Sequence, residues 1–245
     1  MKSPKPLTPL KAGVRNAKNL PESRLCGNDV NGWFRTSCGA ISGASNRSEV
    51  SGIILAGGKN ARMGGTNKAF LAIDGERLVD RIVRLFKSLF SETILVTNEP
   101  LEYLDQDVMI VTDIYPGKGS LGGIYTGLFY ASGSHVFVTA CDMPFLKKSF
   151  IEYMIGRIDR YDIAVPVQKE GYQPLHAIYG KACLTPMRKH ILEDRLKVTG
   201  FYKGRKVLTI GEEITRQHDP ERKMFFNINS PEDIAMISSA VEARE

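Results

Sequence analysis

Leu55-Ala56-Gly57-Gly58-Lys59-Asn60-Ala61-Arg62-Met63-Gly64-Gly65-Thr66-Asn67-Lys68 follows a short apolar run, Ile53-Ile54-Leu55. The run reads as a buried strand. Four glycines within nine positions let the chain beyond it curl tightly and aim its N–H groups at a ligand without Cβ interference. Arg62 and Lys68 add two side-chain cations. A glycine-rich loop that leaves a strand carrying amides and positive charge suits the phosphates of a nucleoside triphosphate. Neither common phosphate loop is present, because there is no Gly-Lys-Ser/Thr and no G-x-G-x-x-G spacing. The competing reading is a plain glycine-rich surface turn.

Outward from this loop the pattern alternates. Strand-like runs at 51–56, 92–97, 107–112, 134–140 and 162–167 are rich in Val, Ile, Leu or Phe. Helix-like stretches fall at about 76–90, 120–132 and 147–159, the first with Leu78, Ile82, Leu85, Phe86 and Leu89 on one face. This alternation predicts an α/β fold, a mostly parallel twisted sheet with helices on both faces in three layers. Beyond 167 the pattern predicts a strand over Gln173–Tyr179, a helix over 181–196, and short strands near 206–209 and 224–228. A last helix over 231–243 would open on Ser230 as N-cap, Pro231 at N1, and Glu232 and Asp233 in the first turn.

Ligands of open α/β sheets sit at the carboxyl ends of strands, so those ends are where chemistry is sought. The second run ends in Thr97-Asn98 and the third in Asp113, ahead of a second glycine-rich loop containing Gly119-Ser120-Leu121-Gly122-Gly123. The fourth ends in Cys141-Asp142-Met143-Pro144. Asp142, straight after a buried strand, is placed to bind Mg²⁺ beside phosphates, the other reading being an N-cap for the helix near 147. Asp113 could accept from the N1–H and N2–H₂ edge of guanine or cap the 117–123 loop. His176 reads as a structural histidine or a site residue. Asn227 and Asn229 alternate along an extended stretch, where they could touch substrate or metal, or cap the last helix.

Composition narrows the classes. With 42% hydrophobic residues, the 245-residue chain can build a good-sized core, and no apolar run is long enough for a membrane span. Of the net charge of +6, residues 1–49 carry +5 and the remainder +1, so the body lacks the basic stripe of a nucleic-acid binder. Residues 1–49 show neither period and read as a poorly ordered basic tail, an organelle transit peptide or an over-long start, leaving 50–245 as the folded domain. No secretory h-region precedes it, and four cysteines without zinc spacing fit reduced thiols in the cytoplasm.

These motifs together resemble the molybdenum cofactor guanylyltransferase family, within the wider group of Rossmann-like nucleotidyltransferases, over about residues 52–240. The resemblance is carried by Leu55-Ala56-Gly57-Gly58…Arg62-Met63-Gly64…Lys68, Asp113 with Gly119–Gly123, Cys141-Asp142-Met143-Pro144, and Asn227-Ile228-Asn229-Ser230-Pro231-Glu232-Asp233. It implies a Mg²⁺-dependent enzyme that takes GTP and molybdopterin and releases pyrophosphate, and it leaves room for molybdoenzyme-maturation proteins as further partners. By the same resemblance Leu55, Ala56, Gly57, Gly58, Lys68, Asn98, Asp113 and Asp142 bind nucleotide. Arg62, Lys68 and Asp142 carry catalysis, and Asp142 holds the metal. Gly119, Leu121, His176, Asn227 and Asn229 fall to the substrate side. Two departures stand out: Asn67 where an acid is usual before the lysine, and Ser120 where the second loop usually has Pro. The alternatives are a relative using CTP or a sugar phosphate, and a non-catalytic nucleotide-binding regulator.

Overall fold

The structure is a computed structural model that describes residues 50–57, 62–63, 66–230 and 233, with Arg62, Met63 and Thr66 as backbone only. All five strand-like runs are strands: β1 Val50–Leu55, β2 Thr93–Val96, β3 Met109–Val111, β4 His135–Ala140 and β5 Ile163–Gln168. Helices α1 Leu78–Leu89, α2 Gly119–Tyr130 and α3 Lys148–Ile155 occupy the expected intervals. The second half adds β6 Gly171–Tyr172, β7 His176–Gly180, α4 Leu184–Leu192, β8 Val207–Ile210 and α5 Glu212–His218. No helix among the described residues is long and apolar enough to cross a membrane.

One eight-stranded sheet runs β6-β5-β7-β4-β1-β2-β3, with β8 also paired to β5. The pairs β1/β2, β1/β4, β2/β3 and β5/β8 are parallel. β7 is antiparallel to β4 and β5, and β6 folds back antiparallel on β5. Strand alternation divides the apolar side chains between two layers. Val50 and Ile54 of β1 pack with Ile82 and Phe86 of α1 and Phe150 of α3, whereas Ile53 and Leu55 pack with Ile124 and Leu128 of α2 and Met187 and Ile191 of α4. Helix α2 lies close against β1 because Gly127 leaves room; a Cβ there would meet Ile53 Cγ2 at 2.6 Å. From β1 the chain steps outward through β2 to β3, then returns to β4 on the other side of β1. Loops after β1 and β4 therefore diverge, and a crevice opens at the carboxyl ends of these two strands.

Several local expectations are corrected. The first helix starts at Leu78 because Ala72–Ile73 pairs with Glu76–Arg77 in a tight hairpin. Its corner, Asp74-Gly75, has φ values of 55° and 76°, the left-handed conformation that Asp-Gly two-residue turns adopt. Pro174 has no N–H to give a ladder, and the strand expected over 173–179 begins at His176. The helix expected over 181–196 is a 3₁₀ turn, Lys181–Cys183, followed by α4, which stops before Asp194 turns left-handed. No strand forms at 224–228; Ile228 instead ties that segment to the body, its N–H donating to the Asp142 carbonyl at 2.9 Å. Helix α5 has no counterpart in the sequence reading. Residues 1–49 and the helix expected over 231–243 lie outside the described residues, apart from Asp233. The start of that helix is described: Ser230 Oγ accepts from Asp233 N–H at 3.3 Å, and the Asp233 carboxylate accepts from the Ser230 and Asn229 amides.

Candidate nucleotide site

The crevice is built from loops fixed one by one to the sheet. Beyond β1, Ala56 N–H bonds the Val96 carbonyl at 2.9 Å, and the Leu55 carbonyl accepts from Cys141 N–H at 3.0 Å. β1 thus stays zipped to both neighbours until Gly57, which emerges exposed. Lys68 opens a 3₁₀ turn, Lys68–Phe70, capped by Asn67, whose Oδ1 accepts from Ala69 N–H at 3.1 Å. Lys68 is only 5% exposed, and its Nζ donates to the Ile228 carbonyl at 3.0 Å. Ile228 in turn binds the Asp142 backbone, so the lysine, Asp142 and the segment at 228 come together although far apart in sequence.

Asp142 does not cap α3, whose N-cap is Lys147 without a side-chain bond. Its Oδ1 is buried and has no hydrogen-bond partner among the described residues. Burial pushes its carboxyl above the usual range, and the nearby Lys68 ammonium partly offsets this. At the end of β3, Asp113 Oδ2 accepts from Asn98 Nδ2 at 2.9 Å while Oδ1 is buried without a partner among the described residues, and burial raises this carboxyl as well. Asp113 caps nothing in the second glycine loop, since Lys118 takes the N-cap of α2 with no side-chain bond. Two carboxylates thus each hold one oxygen unmatched among the described residues, at the carboxyl ends of β3 and β4, with β1 and β2 between them in the sheet.

The second loop turns through Gly117 and Gly119, at φ 75° and 57°, and Thr126 holds it down. Thr126 Oγ1 accepts from Ile114 N–H at 3.0 Å and donates to the Gly122 carbonyl at 2.9 Å. The sequence reading passed over Thr126, since a threonine inside a helix carries no motif. Asn227 and Asn229 are exposed on either side of buried Ile228, which places both beside Asp142. Gly58 lies outside the described residues, and of Arg62 only the backbone is described. Two residues grouped with the substrate side sit in the core instead. Leu121 is buried among the side chains of the α2 layer. His176 is fully buried, its ring packed against Phe137, Phe150 and Phe225 at 5.1 to 5.6 Å, with neither nitrogen hydrogen-bonded among the described residues.

Residues 52–212 match the family described as MobA-like NTP transferase domain, a stretch that includes the first loop, Asp113 and Asp142. The chain belongs to this family. A protein of Desulfosudis oleivorans named molybdenum cofactor guanylyltransferase is 40% identical, over 79% of this chain and 96% of its own. Molybdopterin-guanine dinucleotide biosynthesis protein A from Archaeoglobus fulgidus has the same fold, with a TM-score of 0.68 and 25% identity over 79% of this chain and 99% of that one. The fold extends further, to 2-C-methyl-D-erythritol 4-phosphate cytidylyltransferase from Thermus thermophilus, at TM-score 0.57 and 17% identity, with 79% and 99% covered. The family match of this MobA-like NTP transferase stops short of Asn227 and Asn229, although the fold brings them to the same crevice.

Proposed function

We propose that this MobA-like NTP transferase moves the guanylyl group of GTP onto the phosphate of molybdopterin. A phosphate oxygen of the acceptor bonds to the α-phosphorus, the bond from that phosphorus to the bridging oxygen breaks, and pyrophosphate leaves. The observation that carries the choice of base is Asp113. Its one oxygen is held by Asn98 and the other is unmatched, so it can accept from guanine's adjacent N1–H and N2–H₂. Cytosine would meet the same carboxylate with its O2 and N3 acceptors and be repelled. The name of the Desulfosudis oleivorans relative supports the same choice, whereas the cytidylyltransferase likeness speaks for fold alone.

The unmatched, buried Oδ1 of Asp142 fits a hard divalent cation such as Mg²⁺. No group of three or more His, Cys, Asp or Glu side chains gathers among the described residues, so Asp142 would share the ion with phosphate oxygens and water. Bound there, Mg²⁺ would neutralise charge on the reacting phosphates. The chain itself supplies position and charge. Leu55, Ala56, Gly57 and Gly58 bring backbone to the nucleotide, Arg62 and Lys68 bring cations, and Gly119, Asn227 and Asn229 face the acceptor. An ionised acceptor phosphate needs no base, so holding two anions in line is most of the catalysis. Buried free thiols at Cys141 and Cys183 support a reducing compartment, the cytoplasm, where molybdoenzyme-maturation proteins would receive the product.

Purified protein, molybdopterin, Mg²⁺ and each of the four nucleoside triphosphates in turn test the reading by pyrophosphate release. Release is expected with GTP alone, and equal turnover with CTP would move the assignment to a cytidylyl transferase. Asp113→Asn should lower the GTP-over-CTP ratio of kcat/KM by about 10- to 150-fold, since a hydrogen bond to a charged group contributes about 1.5–3 kcal/mol. An unchanged ratio would place base selection elsewhere. The family match begins at residue 52, which supports 50–245 as the catalytic domain. A chain starting at Val50 should keep kcat/KM and Tm, and loss of either would make residues 1–49 part of the enzyme.

A further inference from the structure

Asn67 stands immediately before Lys68 and is itself 5% exposed. Its amide orientation is fixed by its neighbours. Ala69 N–H can only donate, so the atom 3.1 Å from it is Oδ1. Nδ2 then points to two acceptors, Glu102 Oε2 at 2.7 Å and Tyr103 Oη at 2.8 Å. Both belong to the 3₁₀ turn Pro100–Tyr103, which lies between β2 and β3. Tyr103 is fully buried, and its hydroxyl donates onward to the Ala56 carbonyl at 3.4 Å. Burial pushes the phenol above its usual range and keeps that proton in place. One amide therefore touches the turn that presents Lys68, the carboxylate of Glu102 and, through Tyr103, the backbone of the first glycine loop.

Resting on the reading that this crevice binds GTP, we propose that Asn67, Glu102 and Tyr103 form a positioning unit that sets Lys68 and the Ala56 peptide for the nucleotide. Within it a neutral amide is required at 67 because Glu102 supplies the negative charge. An aspartate at 67 could still cap Ala69. Its second oxygen would face Glu102 at hydrogen-bond distance in a poorly solvated place, where two carboxylates cannot both stay ionised and bonded. It would also turn the Tyr103 hydroxyl toward itself and away from Ala56. The unit touches none of the reacting atoms; it acts through Lys68 and Ala56.

A double-variant cycle tests this, with Kd for GTP in Mg²⁺ buffer measured by calorimetry on full-length protein and Tm recorded for each variant. Asn67→Asp is expected to weaken GTP binding about tenfold or more, the scale of one lost buried polar interaction. In the Glu102→Gln background, where the glutamine amide can donate to the new carboxylate, the same change should cost no more than about threefold. Tyr103→Phe keeps the ring in the core and removes only the hydroxyl, so it should weaken GTP severalfold at nearly unchanged Tm. An equal cost of Asn67→Asp in both backgrounds, or a lowered Tm with Kd unchanged across the series, would overturn the proposal. Absence of GTP binding by the parent protein would instead overturn the reading it rests on.

Discussion

Asp142→Ala is expected to lower turnover by about a thousandfold while leaving the fold in place. Removing one group aimed at charge that develops in a transition state typically costs about 10²–10³ in rate, and a carboxylate that also holds a cation sits at the upper end. The fold should survive because Asp142 joins the C-terminal segment through its backbone carbonyl, which Ala retains, while its carboxylate oxygen Oδ1 bonds to nothing among the described residues. Loss of a raised, buried carboxyl could even add slightly to Tm. Turnover titrated against Mg²⁺ separates this from simple damage, since the variant should need far more of the ion or fail to respond. A normal rate with an unchanged Mg²⁺ requirement would remove Asp142 from the chemistry.

The second large effect concerns stability. Burial among aromatic rings holds the His176 imidazole at a pKa of about 3, against 6.5 in an unstructured chain. Between these values the unfolded chain binds a proton that the folded chain refuses, so stability rises with pH through this window and is flat above it. Falling from pH 7 to pH 4 should therefore cost about 3 kcal/mol through this residue alone, at about 1.4 kcal/mol per pH unit below 6.5. His176→Leu removes the proton site and two unmatched nitrogens at similar volume. Its advantage over the parent should grow by about that amount between pH 7 and pH 4, in urea unfolding followed at both pH values. Parallel pH profiles would mean that the ring already takes up its proton in the folded state.

His176 also shows where sequence stopped being readable. A histidine among Gln, Pro, Leu and Ala has no local signature of the three phenylalanines that surround it, since Phe137, Phe150 and Phe225 arrive from two other elements and a loop. The sheet was legible because a parallel strand buried on both faces must be apolar throughout, and Ile53-Ile54-Leu55 and Val136–Val138 announce that directly. Asp142 and Asp113 were legible for a related reason, since a carboxylate that ends such a run has one edge of the sheet to occupy. Segment 224–228 misled because Met-Phe-Phe-Asn-Ile has a strand's composition, while a ladder needs a free neighbouring edge that no local pattern reveals. Asn67 was visible only as a departure from the usual acid. Its meaning lies in Glu102 and Tyr103, 35 and 36 positions away.

The bond from Lys68 to the Ile228 carbonyl spans 160 positions. During synthesis the first glycine loop leaves the ribosome long before the segment that anchors its lysine. Until residue 228 is docked, the Lys68 ammonium lacks its backbone partner, and Asp142 lacks its backbone tie to the same segment. Partly made or C-terminally clipped copies should therefore hold Lys68 and Asp142 less firmly than the full chain does.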